Sequence, residues 1–267
     1  MDNQESSLCE IPMVKERSID FVRISRKVRV KFGGVIVAES DNVILVREEN
    51  VVPVYYLPYE DIDFSLLERT DRSSACAIKG QASYWHIRVD GAVADNAMWA
   101  YENPIPKSDF LKGYASFYWR KVEFYEEEER VFGFPRDPYV RVDALNSSRS
   151  VKVVVEGNII AQSERPVVVY ETGMTPRYYL PLEDVRVELL EIGQTSYSPY
   201  IGQSRQWAIH VSGKEKRKIA WSYEDPSPEL GKLKGRIGFY QEAADEFYVD
   251  ELRWEPREGE LLYLKGI

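Results

Sequence analysis

The chain has 267 residues, a formal net charge of −9 and 44% hydrophobic residues. This length allows one large domain or two ordinary ones, each able to build its own core. A general binder of nucleic-acid backbones needs a basic face, so the acidic balance argues against nucleic acid as a partner. No apolar run approaches the length that spans a bilayer, and we expect no membrane partner.

The cysteine count bounds the cellular compartment. Cys9 and Cys76 are too few for a disulfide framework, which favours a reducing, cytoplasmic location. The first 20 residues contain no apolar segment of signal-peptide length. The sequence has no Cys-x-x-Cys pair and no phosphate-binding glycine motif, so we expect neither a metal nor a cofactor.

Alternating, β-branched segments begin the regular structure. Residues 28–32, 35–38 and 43–46 have the pattern of strands. Gly33-Gly34 suits a primed hairpin turn, and so does Asp90-Gly91 after the strand that contains Trp85. The second half offers the same signals at Glu156-Gly157 and Ser212-Gly213.

Two kinds of helix are predicted. Pro58 suits a helix start, because acidic residues and then Leu66-Leu67 follow it. Pro181 before Leu189-Leu190 repeats this pattern. A second short helix is expected over residues 107–111 and again over residues 229–233.

The second half of the chain repeats the first. VRVKFGGVIVAES starts at Val28, and VKVVVEGNIIAQS starts at Val151, 123 residues later. One residue is then lost, as a deletion in a surface loop produces, and the match continues at an offset of 122. The matched motifs are Tyr55-Tyr56-Leu57-Pro58 with Tyr178-Tyr179-Leu180-Pro181, Gly80-Gln81 with Gly202-Gln203, Trp85 with Trp207, Trp99-x-Tyr101-Glu102 with Trp221-x-Tyr223-Glu224, and Lys112-Gly113 before Phe117-Tyr118 with Lys234-Gly235 before Phe239-Tyr240.

The repeat predicts a mainly β protein of two tandem, antiparallel, sandwich-like modules, each with one or two short helices. We expect the first module over residues 27–134 and the second over residues 144–248. Residues 1–26 and 249–267 are then extensions. Residues 135–143 contain two prolines and are expected to form a stiff linker.

Together with the Lys79-Gly80-Gln81-Ala82-Ser83-Tyr84-Trp85 segment and the Pro-Arg-Asp-Pro-Tyr linker, these motifs resemble the family called domain of unknown function 427, in its tandem form, over residues 27–248. The resemblance implies a β-tent for each copy, with two antiparallel sheets leaning together. It implies no activity, although the family sometimes carries a nucleotidyltransferase-like label. Some other proteins with this fold hold a small cyclic ligand in an aromatic cage, which is an analogy of fold alone.

Repeated aromatic residues form the first candidate site. They either fill the core or line a pocket, where their N–H and O–H groups would contact a polar small molecule. The candidates are Tyr56, Tyr84, Trp85, Trp99 and Tyr101 in the first copy, and Tyr179, Trp207, Trp221 and Tyr223 in the second, with Tyr118 and Tyr240 beside them.

Polar candidates accompany the aromatic residues. Lys79 precedes Gly80, and the second copy has Ile201 and Ser198 where the first has Lys79 and Cys76. If these two residues carry the site, only the first copy is competent. Glu48 and Glu171 close equivalent strands, and Arg177 is predicted to pair with Glu171 across strands or to line the pocket. Cys76 is a nucleophile candidate only if a base such as His86 lies nearby.

The linker offers a charged and aromatic group of residues. Arg136, Asp137, Tyr139 and Arg141 are expected to dock the two modules, since Arg and Tyr suit interfaces. The alternative is an anion site between the modules.

The sequence favours a non-catalytic protein that binds a small polar or cyclic ligand in an aromatic pocket. One alternative is an enzyme acting on a small or nucleotide-like substrate, with polar groups from Lys79, Glu48 or Arg136-Asp137. A further alternative is a scaffold or partner-binding protein whose aromatic residues are all core. The ligand and the oligomeric state are not determined by the sequence.

Overall fold

A computed structural model describes residues 18–49 and 51–256 of the chain. It divides into two compact units, Met1–Val131 and Phe132–Ile267, which we call the first and second modules. Each consists mainly of antiparallel strands with a few short 3₁₀ segments, so the predicted fold class is confirmed. Cys9 lies outside the described residues. No helix in the described ranges is long and apolar enough to cross a membrane.

The first module contains a seven-stranded and a four-stranded sheet. The large sheet has the order β1-β4-β5-β9-β8-β7-β6 and the small sheet β11-β10-β2-β3. The strands are β1 (Ile19–Arg23), β2 (Val28–Phe32), β3 (Val35–Ser40), β4 (Ile44–Glu48), β5 (Val51–Pro58), β6 (Leu67–Cys76), β7 (Gly80–Val89), β8 (Ala92–Pro104), β9 (Tyr114–Phe117), β10 (Glu123–Glu126) and β11 (Glu129–Val131). Strand β1 falls within the predicted N-terminal extension.

The second module repeats this arrangement. Its large sheet has the order β12-β15-β16-β20-β19-β18-β17 and its small sheet β14-β13-β21-β22. The strands are β12 (Val142–Asn146), β13 (Val151–Val155), β14 (Asn158–Ser163), β15 (Val167–Glu171), β16 (Arg177–Pro181), β17 (Leu189–Ser198), β18 (Gly202–Val211), β19 (Lys214–Tyr223), β20 (Arg236–Phe239), β21 (Glu246–Val249) and β22 (Leu252–Arg253). Strand β12 begins inside the predicted linker, as β1 begins inside the extension.

The four predicted hairpin turns are confirmed. Asp90 and Gly91 have φ angles of 47° and 82°, and two consecutive positive values define the primed turn that matches strand twist. The other three turns have the same signs at Gly33-Gly34, Glu156-Gly157 and Ser212-Gly213.

The helix predicted to run from Pro58 through Leu66-Leu67 is wrong. Only the 3₁₀ segments Tyr59–Asp61 and Phe64–Leu66 form, and β6 begins at Leu67. Leu67 pairs with Ile87, so sheet pairing overrides the local helical pattern. The second module likewise has Leu182–Asp184 and then β17. The other predicted helices are present as the 3₁₀ segments Pro106–Leu111 and Pro228–Leu233.

Each large sheet buries apolar residues on both faces. On β5, Tyr55 and Leu57 belong to the core against the small sheet, whereas Tyr56 belongs to a separate buried cluster. Neighbouring residues on a strand point to opposite faces, so this second cluster lies on the face turned away from the small sheet. The second module divides in the same way at Leu180 and Tyr179.

Two contacts show that the first large sheet curls. Phe21 in β1 stacks on Phe110, which follows β8, with ring centroids 4.7 Å apart. Lys79, in the turn between β6 and β7, forms an ion pair with Glu48 at the end of β4. Strands β5 and β9 lie between β4 and β8, and neighbouring strands are about 4.8 Å apart. These contacts therefore require curvature toward the second cluster, on what we call the concave face.

Candidate functional site

The predicted aromatic residues do not all share one face. Tyr56, Tyr84 and Tyr101 belong to the concave-face cluster, and Trp99 packs against it. Trp85 belongs to the core between the sheets, and Trp207 packs against the equivalent core. Tyr84 and Trp85 are adjacent on β7, so they cannot face the same side. A cage that includes both tryptophans of the first copy is therefore wrong.

The second module gathers its aromatic residues in the same place. Lys232 Nζ, after β19, donates to the Ala144 carbonyl oxygen in β12 at 3.1 Å, so the second large sheet curls in the same way. Tyr179, Trp221 and Tyr223 form its concave-face cluster, and Tyr240 packs against it. Trp221 Nε1 donates to Tyr179 Oη at 3.0 Å. The equivalent bond in the first module joins Trp99 Nε1 to Tyr56 Oη at 3.2 Å. Both modules thus retain one Trp–Tyr hydrogen bond across the short strand β9 or β20.

The first concave-face cluster is filled by its own side chains. Tyr56, Tyr84 and Tyr101 are buried, while Trp99 and Tyr118 are half-buried at its edge. Burial raises the pKa of Tyr56 and Tyr101, so both phenols keep their protons and remain hydrogen-bond donors at neutral pH. Packing is thus a demonstrated role of these aromatic residues.

Ser116 is a residue that sequence reasoning missed. It lies on β9 opposite Trp99 and is 0% exposed, yet its Oγ has no hydrogen-bond partner within the described residues. The second copy has Gly238 there, paired with both Tyr179 and Trp221. A Cβ on Gly238 would lie 2.9 Å from the Trp221 ring. The sequence signal that could have identified Ser116 is its hydroxyl, which the aligned Gly238 of the second copy lacks.

Lys79 and Glu48 form the polar end of the first cluster. Their side chains are only 13% and 11% exposed, and Lys79 Nζ lies 5.5 Å from the centroid of the Tyr101 ring. The sequence indicated both residues but not their pairing, which depends on the curl of the sheet. Cys76 is half-buried and packs against the same cluster.

The equivalent carboxylate in the second module has no ion-pair partner among the described residues. Glu171 is half-buried, and burial raises the pKa of its carboxyl. Ile201 replaces the lysine and is buried in the cluster. The predicted Glu171–Arg177 pair is wrong, because Arg177 Nη2 instead contacts Glu242 Oε1 at 2.7 Å.

Cys76 and His86 are not brought together. Cys76 pairs with Gly80, whereas His86 pairs with Glu68. Six residues of β7 separate Gly80 from His86, which is roughly 20 Å along a strand. His86 Nδ1 accepts a hydrogen bond from the Asn96 backbone N–H at 3.0 Å. It therefore does not act as the base for a Cys76 nucleophile in this arrangement.

The linker residues contact the second module. Arg136 Nε donates to the Pro199 carbonyl oxygen at 2.6 Å, and the Asp137 backbone N–H donates to Tyr200 Oη at 2.8 Å. Arg141 Nε lies 2.8 Å from Asp143 Oδ2. Tyr139 is exposed. Their predicted role in docking the two modules stays a prediction.

Two open grooves among the described residues border the small sheets. One of about 380 Å³ borders the small sheet of the first module, between Gly33 and Lys121. A second of about 160 Å³ occupies the equivalent place in the second module, beside Asp245 and Arg253.

The fold and these sites define a tandem protein of two β modules, each with a curled large sheet and a small sheet. The family model described as Domain of unknown function (DUF427) matches residues 20–128 and 143–250. These matches cover most of the chain, so the chain belongs to this family and carries two copies of its domain. The search of curated proteins gave no match.

Proposed function

We propose that the first module binds a small polar ligand at the rim of its concave face, through Lys79 and Glu48. The observation that carries the proposal is their shielded ion pair. Replacing such a pair with packed apolar residues is often neutral or stabilising. Stability alone therefore gives no reason for the first module to keep the pair where the second has Ile201.

The chemistry of the rim supports a ligand with both donors and acceptors. The Lys79 ammonium donates one N–H to Glu48, which leaves at most two N–H donors and the remaining carboxylate lone pairs for a ligand. Such a pair suits a neutral or zwitterionic ligand, for example a small cyclic amide. Trp99 and Tyr101 offer ring surfaces for the apolar part of that ligand. Lys79, Cys76 and Trp99 are partly exposed, so a ligand can approach from this side.

Ser116 supports the same proposal. A buried hydroxyl without a partner costs free energy that an arriving acceptor or donor recovers. Ser116 lies on β9, between the strands that carry Tyr56 and Trp99. Gly238 occupies the equivalent position in the second module.

The low cysteine count leads us to place this binding activity in the cytoplasm.

The test is a thermal-shift screen of the full chain against a metabolite library, with Trp99→Phe and Trp221→Phe as a matched pair. Each variant removes one indole donor from an equivalent Trp–Tyr bond. A ligand at one hundred times its dissociation constant adds about 2.7 kcal/mol of stability. We expect hits whose shift is reduced in Trp99→Phe and retained in Trp221→Phe.

Two results would count against the proposal. Hits reduced equally by both substitutions would assign binding to a feature that the modules share. A screen without hits, with both variants only less stable, would leave the aromatic residues as core and favour a scaffold or partner-binding role.

A further inference from the structure

The groove beside the first small sheet is large enough for a small molecule. Its volume is about 380 Å³, and small-molecule sites generally occupy about 300–1,000 Å³. The lining comes from the β2–β3 turn, the segment after β9, and the strands β10 and β11. Its residues are Lys31, Phe32, Gly33, Gly34, Trp119, Arg120, Lys121, Val122, Glu123 and Arg130.

This groove is basic in an acidic protein. Among the described residues, four of its lining side chains are Lys or Arg, and its only carboxylate, Glu123, pairs with Arg130 at 3.0 Å. Arg120 makes no ion pair within the described residues. Lys31 Nζ lies 4.6 Å from the centroid of the Tyr125 ring, and Lys121 Nζ donates to the Asp95 carbonyl oxygen. Arg120, Lys31 and Lys121 therefore form no ion pair within the described residues, although Lys31 is near enough to Glu128 to help lower the pKa of that carboxyl.

The equivalent groove of the second module has the opposite charge. Its acidic residues are Glu242, Asp245, Glu246 and Glu255, and its one basic residue is Arg253. Both grooves flank the small sheet of their module, but Gly33 and Gly34 line only the first and Trp254 and Pro256 only the second. The positive charge is thus specific to the first module.

Trp119 supplies a second, independent observation. Its ring stacks on Phe124 at 3.9 Å and packs against Tyr55, which fixes it beside the groove. Its Nε1–H is buried and has no acceptor within the described residues. Gln241 lines the equivalent groove and also has a buried side-chain N–H group without an acceptor there. Buried N–H donors are normally hydrogen-bonded, so an acceptor from a ligand would satisfy the Trp119 donor in the first groove or the Gln241 donor in the second.

We propose that the groove of the first module binds a small phosphate-bearing anion. Arg120 and Arg130 offer guanidinium N–H groups, Lys31 and Lys121 offer ammonium groups, and phosphate oxygens accept from both kinds of donor. Trp119 lines the same groove, and its buried N–H has no acceptor within the described residues. This site is independent of the concave-face site, so either proposal can fail without the other.

The test is a titration of the ¹⁵N-labelled full chain with pyrophosphate, following the indole N–H signals by NMR. Trp119→Phe identifies the Trp119 signal. The binding variant is Arg120→Glu with Lys121→Ala, which installs the residues found in the second module at positions 242 and 243. The control variant is Arg217→Glu with Lys214→Ala, which changes net charge equally on a hairpin of the second module.

We expect a saturable shift of the Trp119 signal in the wild type and control variant, weakened at least about tenfold in the binding variant. Citrate in place of pyrophosphate should bind more weakly. Equal shifts in all three proteins, following ionic strength alone, would overturn the proposal. So would tighter binding of citrate, because the site would then be one for carboxylates.

Discussion

The two modules share a strand order but differ in the polar groups that the strands carry. Glu48 pairs with Lys79 in the first, whereas in the second Glu171 has no ion-pair partner among the described residues and a buried Ile201 replaces the lysine. Ser116 becomes Gly238, and the basic groove becomes acidic. The shared apolar pattern maintains the fold, while a few substitutions give each module its own chemistry. Substitutions at these positions test whether the two modules differ in stability as well as in their polar groups.

The largest effect is expected from Glu48→Gln. It leaves the Lys79 ammonium shielded and without its carboxylate, which should lower the free energy of unfolding by about 3 kcal/mol. Urea denaturation measures this loss. Glu171→Gln is the matched control, because Glu171 has no ion-pair partner among the described residues and its neutralisation should not destabilise. An equal loss of unfolding free energy in Glu48→Gln and Glu171→Gln would contradict the conclusion that only Glu48 has an ion-pair partner.

The next effect concerns the strand beneath the aromatic rings. Gly238→Ala puts a Cβ 2.9 Å from the rigid Trp221 ring, and such overpacking should cost about 2 kcal/mol. Ser116→Ala is the control, because that position already has a Cβ and loses only a hydroxyl without a partner. Denaturation midpoints compare the two. A costless Gly238→Ala would show that the second cluster is looser than described.

The smallest effect is a pH dependence from Glu171. Its folded pKa is raised by burial, so its contribution to stability is complete below the unfolded pKa and is lost as pH rises through the folded value. Glu171→Gln should therefore be more stable than wild type at neutral pH and equally stable at low pH. Paired denaturation curves from pH 4 to pH 8 test this. A constant difference across that range would exclude the titration of Glu171 as its cause.

Much of the fold could be predicted from the sequence alone. The repeat, the strand segments and the four primed turns depend on local pattern and on glycine at positions with positive φ. The helix through Leu66-Leu67 was wrong because the pairing of Leu67 with Ile87 is a long-range constraint. Neighbouring residues on a strand point to opposite faces, so the sequence already indicated that Tyr84 and Trp85 on β7 could not line the same pocket.

The candidate site was predicted only in part. Lys79 and Glu48 were both indicated, but their contact depends on sheet curvature that no linear motif encodes. Arg177 reached Glu242 in the turn after β20 instead of Glu171, because the partner came from a distant loop. Ser116 belongs to no motif, and only its alignment with Gly238 of the second copy could have marked it.

The most direct test of the central claim is the charge-free double variant Lys79→Met with Glu48→Gln, compared with wild type by urea denaturation and by titration with a ligand from the screen. We expect stability within about 1 kcal/mol of wild type, because the variant removes both charges of the pair, and we expect ligand binding to be lost. Undiminished binding by the double variant would contradict the claim that this ion pair is kept for recognition.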